Sequence, residues 1–303
     1  MFTTLYIREL QNYLYSLRFQ VSFVIVVLVF TLGSVSFASS FKDMHDNYTK
    51  YSVAQQEAIG KQAENISKVA TARNSFIISP RENSVIADCK ESYLPNRITY
   101  SAYNVFDYSV RHDSNNPLLI RTDSLSWSFI VSMFLSFITL LFAFDAISGE
   151  KEERTLALVF SNAVPRRTFL CSKLLSIITV IGVMELVGII ISLIILAVSG
   201  QVQLNSSFLI ETAGFILISL LFITTFAVFG LLSSVVTRYS NISLLISLCF
   251  WLFAAVVIPN TSVFWAKTLF SIPTSDEVAQ KRQEASDDIN RNAPEGSWSS
   301  NGG

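Results

Sequence analysis

Charged residues are scarce in this 303-residue chain, at 15% of the total, whereas hydrophobic residues make up 51%. A water-soluble domain usually carries about 25% charged residues. The composition therefore argues against an ordinary soluble fold. The net charge of −1 also argues against nucleic acid as a partner, because phosphate binding needs a clustered basic surface.

Cysteine and histidine are rare as well. Cys89, Cys171 and Cys249 fall in three different contexts, a polar insert, a basic loop and an apolar run, so we expect no disulfide framework. His45 and His112 show no HExxH spacing and the chain has no CxxC pair, so the sequence predicts no metal site. It also contains no GxSxG motif and no cluster of catalytic residues, so we expect no catalytic residue on this chain.

What the sequence has instead is a series of long apolar stretches. A bilayer core about 30 Å thick is crossed by about 20 apolar residues in helical form. Five stretches meet this condition, at residues 19–37, 124–147, 174–199, 208–236 and 242–263. The sequence therefore predicts an all-α polytopic membrane protein with five visible transmembrane helices.

Lysine and arginine in the short connecting segments predict the orientation of these helices. The segments on one side contain Arg8, Arg18, Lys151, Arg154, Arg166, Arg167, Lys173 and Arg238, whereas the loop 200–207 on the other side contains none. We therefore expect a cytoplasmic N-terminus in an inner or plasma membrane, with residues 38–123 outside. The polar segment 264–303 also falls outside, and the absence of a sixth span after it suggests an incomplete chain.

The two outer segments differ in character. Residues 38–123 are expected to form a small domain of mixed or mostly helical structure, in which Lys42–Thr71, rich in Gln, Ala, Glu and Lys, extends the first span as a helix. The rest of this insert should form loops with short strands or helices. In the tail, a capping box from Thr274 to Glu277 predicts a charged helix over about 276–291.

Residues 1–18 form the first of two segments predicted to lie on the membrane surface. Large apolar residues fall largely on one side of a helix, and they are Phe2, Leu5, Tyr6, Leu10, Tyr13, Leu14 and Leu17. Arg8 and Arg18 lie mostly on the opposite side, while Glu9 interrupts the apolar side. The pattern predicts an amphipathic interfacial helix.

The second such segment is the loop 148–173. It begins with the charged residues Glu150, Glu152, Glu153 and Arg154, and continues with Thr155 and the apolar residues Leu156, Val159 and Phe160. Acidic residues are favoured in the first turn of a helix by the backbone dipole. We expect a helix over 150–160 lying parallel to the membrane, followed by a basic anchor at the headgroups formed by Arg166, Arg167 and Lys173.

The stretch DAISGEKEERTLALVFSNAVPRRTFLCSKLL, together with the interfacial helix and the long insert, resembles the permease subunits of ABC-2 type transporters. The later stretch FGLLSSVVTRYSNISLL resembles the fourth and fifth spans of that family. The resemblance is closest to the subgroup with large outer inserts, such as permeases of gliding motility or nitrous-oxide-reductase maturation. Arg154 stands where the family often has Gly before Thr-Leu, a departure that we expect to matter little.

The resemblance implies a permease, most simply an exporter, that works with a separate ATPase subunit and with a second permease copy or paralogue. The loop at 150–160 would then be the coupling helix, with Leu156, Val159 and Phe160 as its apolar contact and the charged residues around them as a polar rim. Since the chain has no GxxxxGK[ST] phosphate loop, ATP and magnesium would be bound by the partner and no cofactor by this chain. The alternative is an ABC-like subunit that transmits ATP-driven motion to its outer domain or to an envelope partner.

Glu185 is a charged residue near the middle of the third span, where a charge costs at least about 2.5 kcal/mol by insertion scales. We expect its side chain to face the protein interior. It could line a substrate path or act as a conformational switch, or it could form a hydrogen-bonded contact between helices, and the sequence leaves these alternatives open.

Overall fold

The structure, a computed structural model, describes residues 2–62, 74–87, 97–100, 107–109, 125–161, 165–200, 202, 205–269 and single positions between 280 and 291. The chain divides into two compact units, Met1–Trp251 and Leu252–Gly303. Five helices in the described part are long and apolar enough to cross a membrane. The prediction of an all-α polytopic membrane protein is confirmed.

The N-terminal part of the chain is helical throughout its described length. Helix α1 (Phe2–Leu14) is followed by α2 (Leu17–Gln62), a single helix of 46 residues. At 1.5 Å per residue α2 is about 69 Å long, roughly twice the thickness of a bilayer core. It contains the first span and the helical extension predicted from Lys42, as far as Gln62.

The remaining helices of the first unit include three long spans. Helix α3 covers residues 127–143, with a π-helical stretch at Val131–Leu135, and two short helices follow it, α4 (Ser148–Glu152) and α5 (Leu156–Ser161). The long helices α6 (Arg166–Ser199) and α7 (Ser206–Val236) precede α8 (Ser240–Trp251).

One expectation needs correction here, because the predicted single helix over 150–160 is two helices. The chain changes direction at Arg154, whose φ of 60° lies in the left-handed region. A residue with a Cβ atom is disfavoured in that region by a clash with the following carbonyl group. The α-helix therefore ends before Arg154 and a new one begins after Thr155.

The insert between the first two spans contains a small sheet. Strands β1 (Asn74–Ile77), β2 (Arg97–Tyr100) and β3 (Asp107–Ser109) pair antiparallel in the order β1-β2-β3. A short 3-10 helix, Glu82–Val85, follows β1. The insert is thus mixed in structure.

The second unit contains π-helical Leu252–Val257, which completes the fifth candidate span, and helix α9 (Ile258–Leu269). The helix predicted at 276–291 is described only at single positions from 280 onward, all of them helical. The capping box from Thr274 to Glu277 lies outside the described residues.

Small residues allow the spans of the first unit to approach one another closely. A Cβ atom on Gly188 would lie 2.5 Å from the ring of Phe30, and one on Gly230 would lie 2.5 Å from the Cβ atom of Ala143. The glycines therefore bring α6 against α2 and α7 against α3.

The bundle of the first unit has two distinct ends. We call the end formed by α1, α4, α5 and the adjoining ends of the spans the basic end, because the basic residues of the short segments lie there. We call the opposite end, where α2 leaves the bundle and α3 and α7 begin, the insert end.

Candidate functional site

The short helix α4 is joined to the end of span α7 by bonds in both directions. The backbone N–H groups of Ile147 and Ser148 donate to the hydroxyl oxygen of Ser234, at 2.9 and 2.8 Å. In return the Nζ atom of Lys151 donates to the carbonyls of Ser234 (3.2 Å), Val235 and Thr237 (2.9 Å). These groups are among those that a helix end leaves without a partner. Each helix therefore caps the other.

The electrostatic setting of Lys151 fits this role. The cation is favoured by the negative end of the α7 dipole.

Helix α4 also contacts the beginning of α8. A carboxylate oxygen of Glu152 accepts a hydrogen bond of 3.3 Å from the backbone N–H of Ser240, the first residue of α8. An acidic group is favoured at this position because the N-terminal N–H groups and the helix dipole are both positive there.

A buried lysine joins α4 to two further helices. Lys173, in the first turns of α6, is 3% exposed. Its Nζ atom lies 2.7 Å from Glu150 of α4 and 3.1 Å from Glu9 of α1. The second carboxylate oxygen of Glu150 is buried and has no hydrogen-bond partner in the described part of the chain. One cation thus holds two carboxylates from segments far apart in the sequence.

Helix α1 is packed along α6 at several points beyond this ion pair. The hydroxyl of Tyr6 donates to Thr179 at 3.0 Å, and the hydroxyl of Ser176 donates to the carbonyl of Tyr6 at 3.3 Å. Helix α1 also contacts α3, because Tyr13 meets the ring of Phe142 edge-on at 5.7 Å. Burial and then the nearby carboxylates, Glu9 foremost, raise the pKa of Tyr13 above its usual range. The N-terminal helix is therefore part of the packed bundle.

The beginning of α2 is held at the same end by a separate ion pair. The guanidinium of Arg18 bonds to Asp145, which follows α3. The same guanidinium lies over the ring of Phe144, 5.4 Å from its centroid. Together these contacts bring charged side chains of α1, α2, α4 and α6 to one end of the bundle. We call the bonded set Glu9, Ser148, Glu150, Lys151, Glu152, Lys173, Ser234 and Ser240 the α4 junction.

The apolar residues of α5 that were predicted to contact a partner face the bundle of the chain itself. Leu156, Val159 and Phe160 are half-buried and pack against the hydrophobic core of the bundle. The ring of Phe160 lies 5.5 Å from that of Phe169 on α6 and 5.8 Å from the Arg166 guanidinium. This differs from the expectation that these three residues form a contact with a partner, because their apolar side is already covered by the chain itself.

The exposed side of this segment consists of other residues. Glu153, Arg154 and Ala157 are exposed, and Leu158 is 68% exposed. Thr155 connects the segment to α4, since its N–H donates to the carbonyl of Glu150 at 3.0 Å. We call Glu153, Arg154, Ala157 and Leu158 the α5 outer face.

The three residues predicted as a headgroup anchor are separated by the structure. Arg166 and Arg167 are exposed at the start of α6. Lys173 is bound inside the bundle by its two carboxylates and lies 5.1 Å from the ring centroid of Phe169. It therefore acts as an internal counterion, which corrects its assignment to the anchor.

A known protein family matches nearly the whole chain. The family described as ABC-2 family transporter protein matches residues 3–294. The chain belongs to this family. Neither a curated protein nor a solved structure matches it. As an ABC-2 family member it is the permease subunit of an ABC transporter, and the family implies an ATP-binding partner subunit and membrane lipid.

Glu185 of this permease lies inside the bundle, far from the α4 junction in sequence. It is 0% exposed, and one of its carboxylate oxygens accepts a hydrogen bond from Ser219 of α7, which is itself 3% exposed. Its other oxygen has no hydrogen-bond partner among the described residues. In this arrangement Glu185 forms a contact between α6 and α7.

Sequence reasoning missed several members of the α4 junction, namely Glu9, Ser148, Lys151, Ser234 and Ser240. Only one of them has a sequence feature from which its role could have been predicted. Glu9 interrupts the apolar side of α1, and an acid on the side that faces the protein indicates a buried cation opposite it. Ser234 and Ser240 gave no such signal, because hydroxyl residues are common where spans pack or end.

Proposed function

We propose that this permease is one of two membrane subunits of an ATP-driven exporter, and that its α5 outer face binds the ATPase subunit. Its partner would be a second copy or a paralogue. The permease would lie in the inner or plasma membrane with its N-terminus in the cytoplasm. ATP and magnesium would be bound by the ATPase, and this chain would hold no cofactor. The eight basic residues of the short segments support this orientation, because positive residues are retained inside.

The α5 outer face supports the contact with the ATPase. Leu158 is 68% exposed at the end of the bundle where charged groups collect, and the exposed residues Glu153 and Arg154 precede it in the chain. An exposed apolar residue together with exposed charged residues resembles the core and rim of a protein interface. This assignment shifts the contact by one or two residues from Leu156 and Phe160 to their exposed neighbours.

The observation that carries the proposal is the α4 junction. Four of the five residues of α4, Ser148–Glu152, bond directly to α6, α7 or α8. Lys173 continues the connection to α1. A displacement of α5 would therefore reach the ends of these helices together, because packed elements move as rigid bodies. The ATPase would close on ATP, pull on α5, and shift the spans between two arrangements.

We further infer that Glu185 holds α6 against α7 in one of these arrangements. Its burial and its bond to Ser219 favour a contact between helices over a position on an open substrate path.

Co-purification with the ATPase subunit tests the proposal. Leu158→Asp places a charge in the centre of the proposed contact and should reduce the recovered ATPase at least about fivefold, as expected when an interface residue worth about 1 kcal/mol is lost. Leu158→Met keeps an apolar side chain of similar volume and should leave recovery unchanged. Equal recovery of the ATPase with both variants would contradict the proposal. Asp at Leu156 or Phe160 is less informative, since it would disturb packing inside the bundle.

A second function is favoured by two observations. Helix α2 runs without a break from the basic end through the membrane to Gln62, and a residue of the insert, Asn83, donates a hydrogen bond to Glu211 of α7. These contacts would allow ATP-driven motion to reach the outer domain. ATPase activity that no candidate substrate stimulates, together with cross-linking of the insert to an envelope protein, would favour this mechanical role over export.

A further inference from the structure

An open groove lies on the surface of the bundle at the basic end. It has a volume of about 410 Å³, within the size range of small-molecule sites. Its walls come from three helical segments and are formed by Leu17, Arg18, Val21, Ser22, Leu141, Phe144 and Leu244. Most of these side chains are apolar, so the groove suits a hydrocarbon chain.

One cation is part of this apolar lining. The side chain of Arg18 is 54% exposed even though it bonds to Asp145, whose side chain is 24% exposed. The bond to Asp145 uses one guanidinium nitrogen, Nη1. A guanidinium carries five N–H donors in a planar fork that matches phosphate, so Arg18 can bind a second anionic group while it remains paired.

The ion pair also restricts what that group can be. A headgroup with only negative charge would meet the carboxylate of Asp145 as well as the guanidinium of Arg18, and like charges at this distance repel. A headgroup that carries a phosphate and an ammonium matches the two charges in turn. An ethanolamine ammonium can donate hydrogen bonds to a carboxylate, whereas a trimethylated choline group has no N–H donor.

We propose that this groove binds a phosphatidylethanolamine molecule of the membrane leaflet at the basic end, with its phosphate on Arg18, its ammonium on Asp145 and an acyl chain along Val21, Leu141 and Leu244. An acyl chain gains little free energy by moving from the bilayer into this groove, because lipid tails are as apolar as the groove walls. The apolar walls therefore provide the fit, and the headgroup contacts provide the selectivity. This proposal does not depend on which subunit the α5 outer face binds.

Lipid retention tests the proposal directly. The full chain is placed in nanodiscs of equal parts phosphatidylethanolamine, phosphatidylcholine and phosphatidylglycerol and re-extracted in mild detergent, and its bound lipids are counted by mass spectrometry. The wild-type chain should retain phosphatidylethanolamine about tenfold over the other two lipids, as expected for hydrogen bonds between charged groups. Equal retention of the three lipids, or a preference for phosphatidylglycerol, would overturn the proposal.

Three variants and one control variant locate the site. Val21→Trp fills the groove and should lower retention about tenfold, and Arg18→Gln should remove the headgroup preference. Arg8→Gln removes an exposed charge at the same end, outside the groove, and should change nothing. Asp145→Asn is the sharpest variant, because it leaves Arg18 without its carboxylate and should shift the preference to phosphatidylglycerol.

Two further results would refute the assignment. If Val21→Trp leaves lipid retention unchanged but alters the mass of the assembly, the groove is an interface between two copies of the chain. If Asp145→Asn keeps the ethanolamine preference while the variant elutes and unfolds like wild type, Asp145 does not select the headgroup.

Discussion

The two ends of the bundle are held together by different chemistry. At the basic end, charged side chains join the ends of helices, as in the Glu9–Lys173–Glu150 cluster. At the insert end, the Nε1 atom of Trp127 donates to the hydroxyl of Ser192 at 2.7 Å, and Ser192 lies 2.5 Å from Ser34. The contacts of this second cluster are uncharged.

The difference matters for how each end can respond to force. Buried ion pairs depend on the partner being present, because a lone buried charge is strongly unfavourable. Hydroxyl bonds between spans are worth only about 0.6 kcal/mol on average, and close packing carries most of the remaining stability. The basic end should therefore respond as an all-or-none unit, and the insert end should tolerate the loss of any one bond.

The largest expected effect is at Lys173. Lys173→Met leaves Glu9 and Glu150 without their cation and should destabilise the permease by about 3–5 kcal/mol, seen as a lower unfolding temperature in detergent. Arg167→Met removes an exposed charge from the same helix and should have little effect.

A rescue experiment separates charge from packing at this position. The triple variant Lys173→Met, Glu9→Gln, Glu150→Gln removes the unpaired charges and should recover most of the lost stability, since apolar or neutral replacements of whole ion clusters are often nearly neutral. A triple variant as unstable as Lys173→Met alone would mean that the cluster acts through packing.

The next largest loss of stability is expected at Gly188, which lies away from the basic end. Gly188→Ala would place a methyl group 2.5 Å from the ring of Phe30 and should cost about 1–3 kcal/mol through overpacking. Gly214→Ala is the matched control, because a methyl group there meets no atom within 4 Å. Equal unfolding temperatures for the two variants would show that α2 and α6 are not held as closely as described.

Substitutions of Arg154 should differ by about 1 kcal/mol in their free energy of unfolding. Its φ of 60° is easy for glycine and unfavourable for a residue with a Cβ atom. Arg154→Gly should therefore be more stable than Arg154→Ala by about 1 kcal/mol, measured by thermal unfolding. An alanine variant at least as stable as the glycine variant would contradict the left-handed turn.

The smallest effect is expected at the insert end. Ser34→Ala removes the hydroxyl that bonds to Ser192 and changes the packed volume little, so the loss of stability should be about 0.6 kcal/mol and at most about 1.7. A loss of stability as large as that of Lys173→Met would contradict the proposed difference between the two ends.

The spans could be predicted from the sequence because they depend on local properties, length and hydropathy. All five candidate spans overlap the predicted stretches. The family resemblance was carried by the same local segments and is confirmed by the match over residues 3–294.

The candidate site was predicted less well, because its geometry depends on contacts between distant segments. The apolar residues Leu156, Val159 and Phe160 mark one side of α5, but periodicity does not show whether that side meets the chain itself or a partner. Lys173 resembles a headgroup anchor until Glu9, 164 residues away, is placed beside it. Arg154 departs from the family pattern, which often has Gly at this position, and we expected this departure to matter little. Only the φ angle of Arg154 shows that the chain turns there.

The central claim is that the α4 junction transmits motion from the ATPase contact to the spans. Spin labels at Asn47 on α2 and Ser206 on α7, in a permease with Cys89, Cys171 and Cys249 replaced by Ser, report the distance across the insert end. In the complex with the ATPase, ATP should shift this distance in the otherwise unchanged permease and leave it unshifted in the folded triple variant of Lys173, Glu9 and Glu150. A triple variant that retains the full ATP-dependent shift would contradict the account.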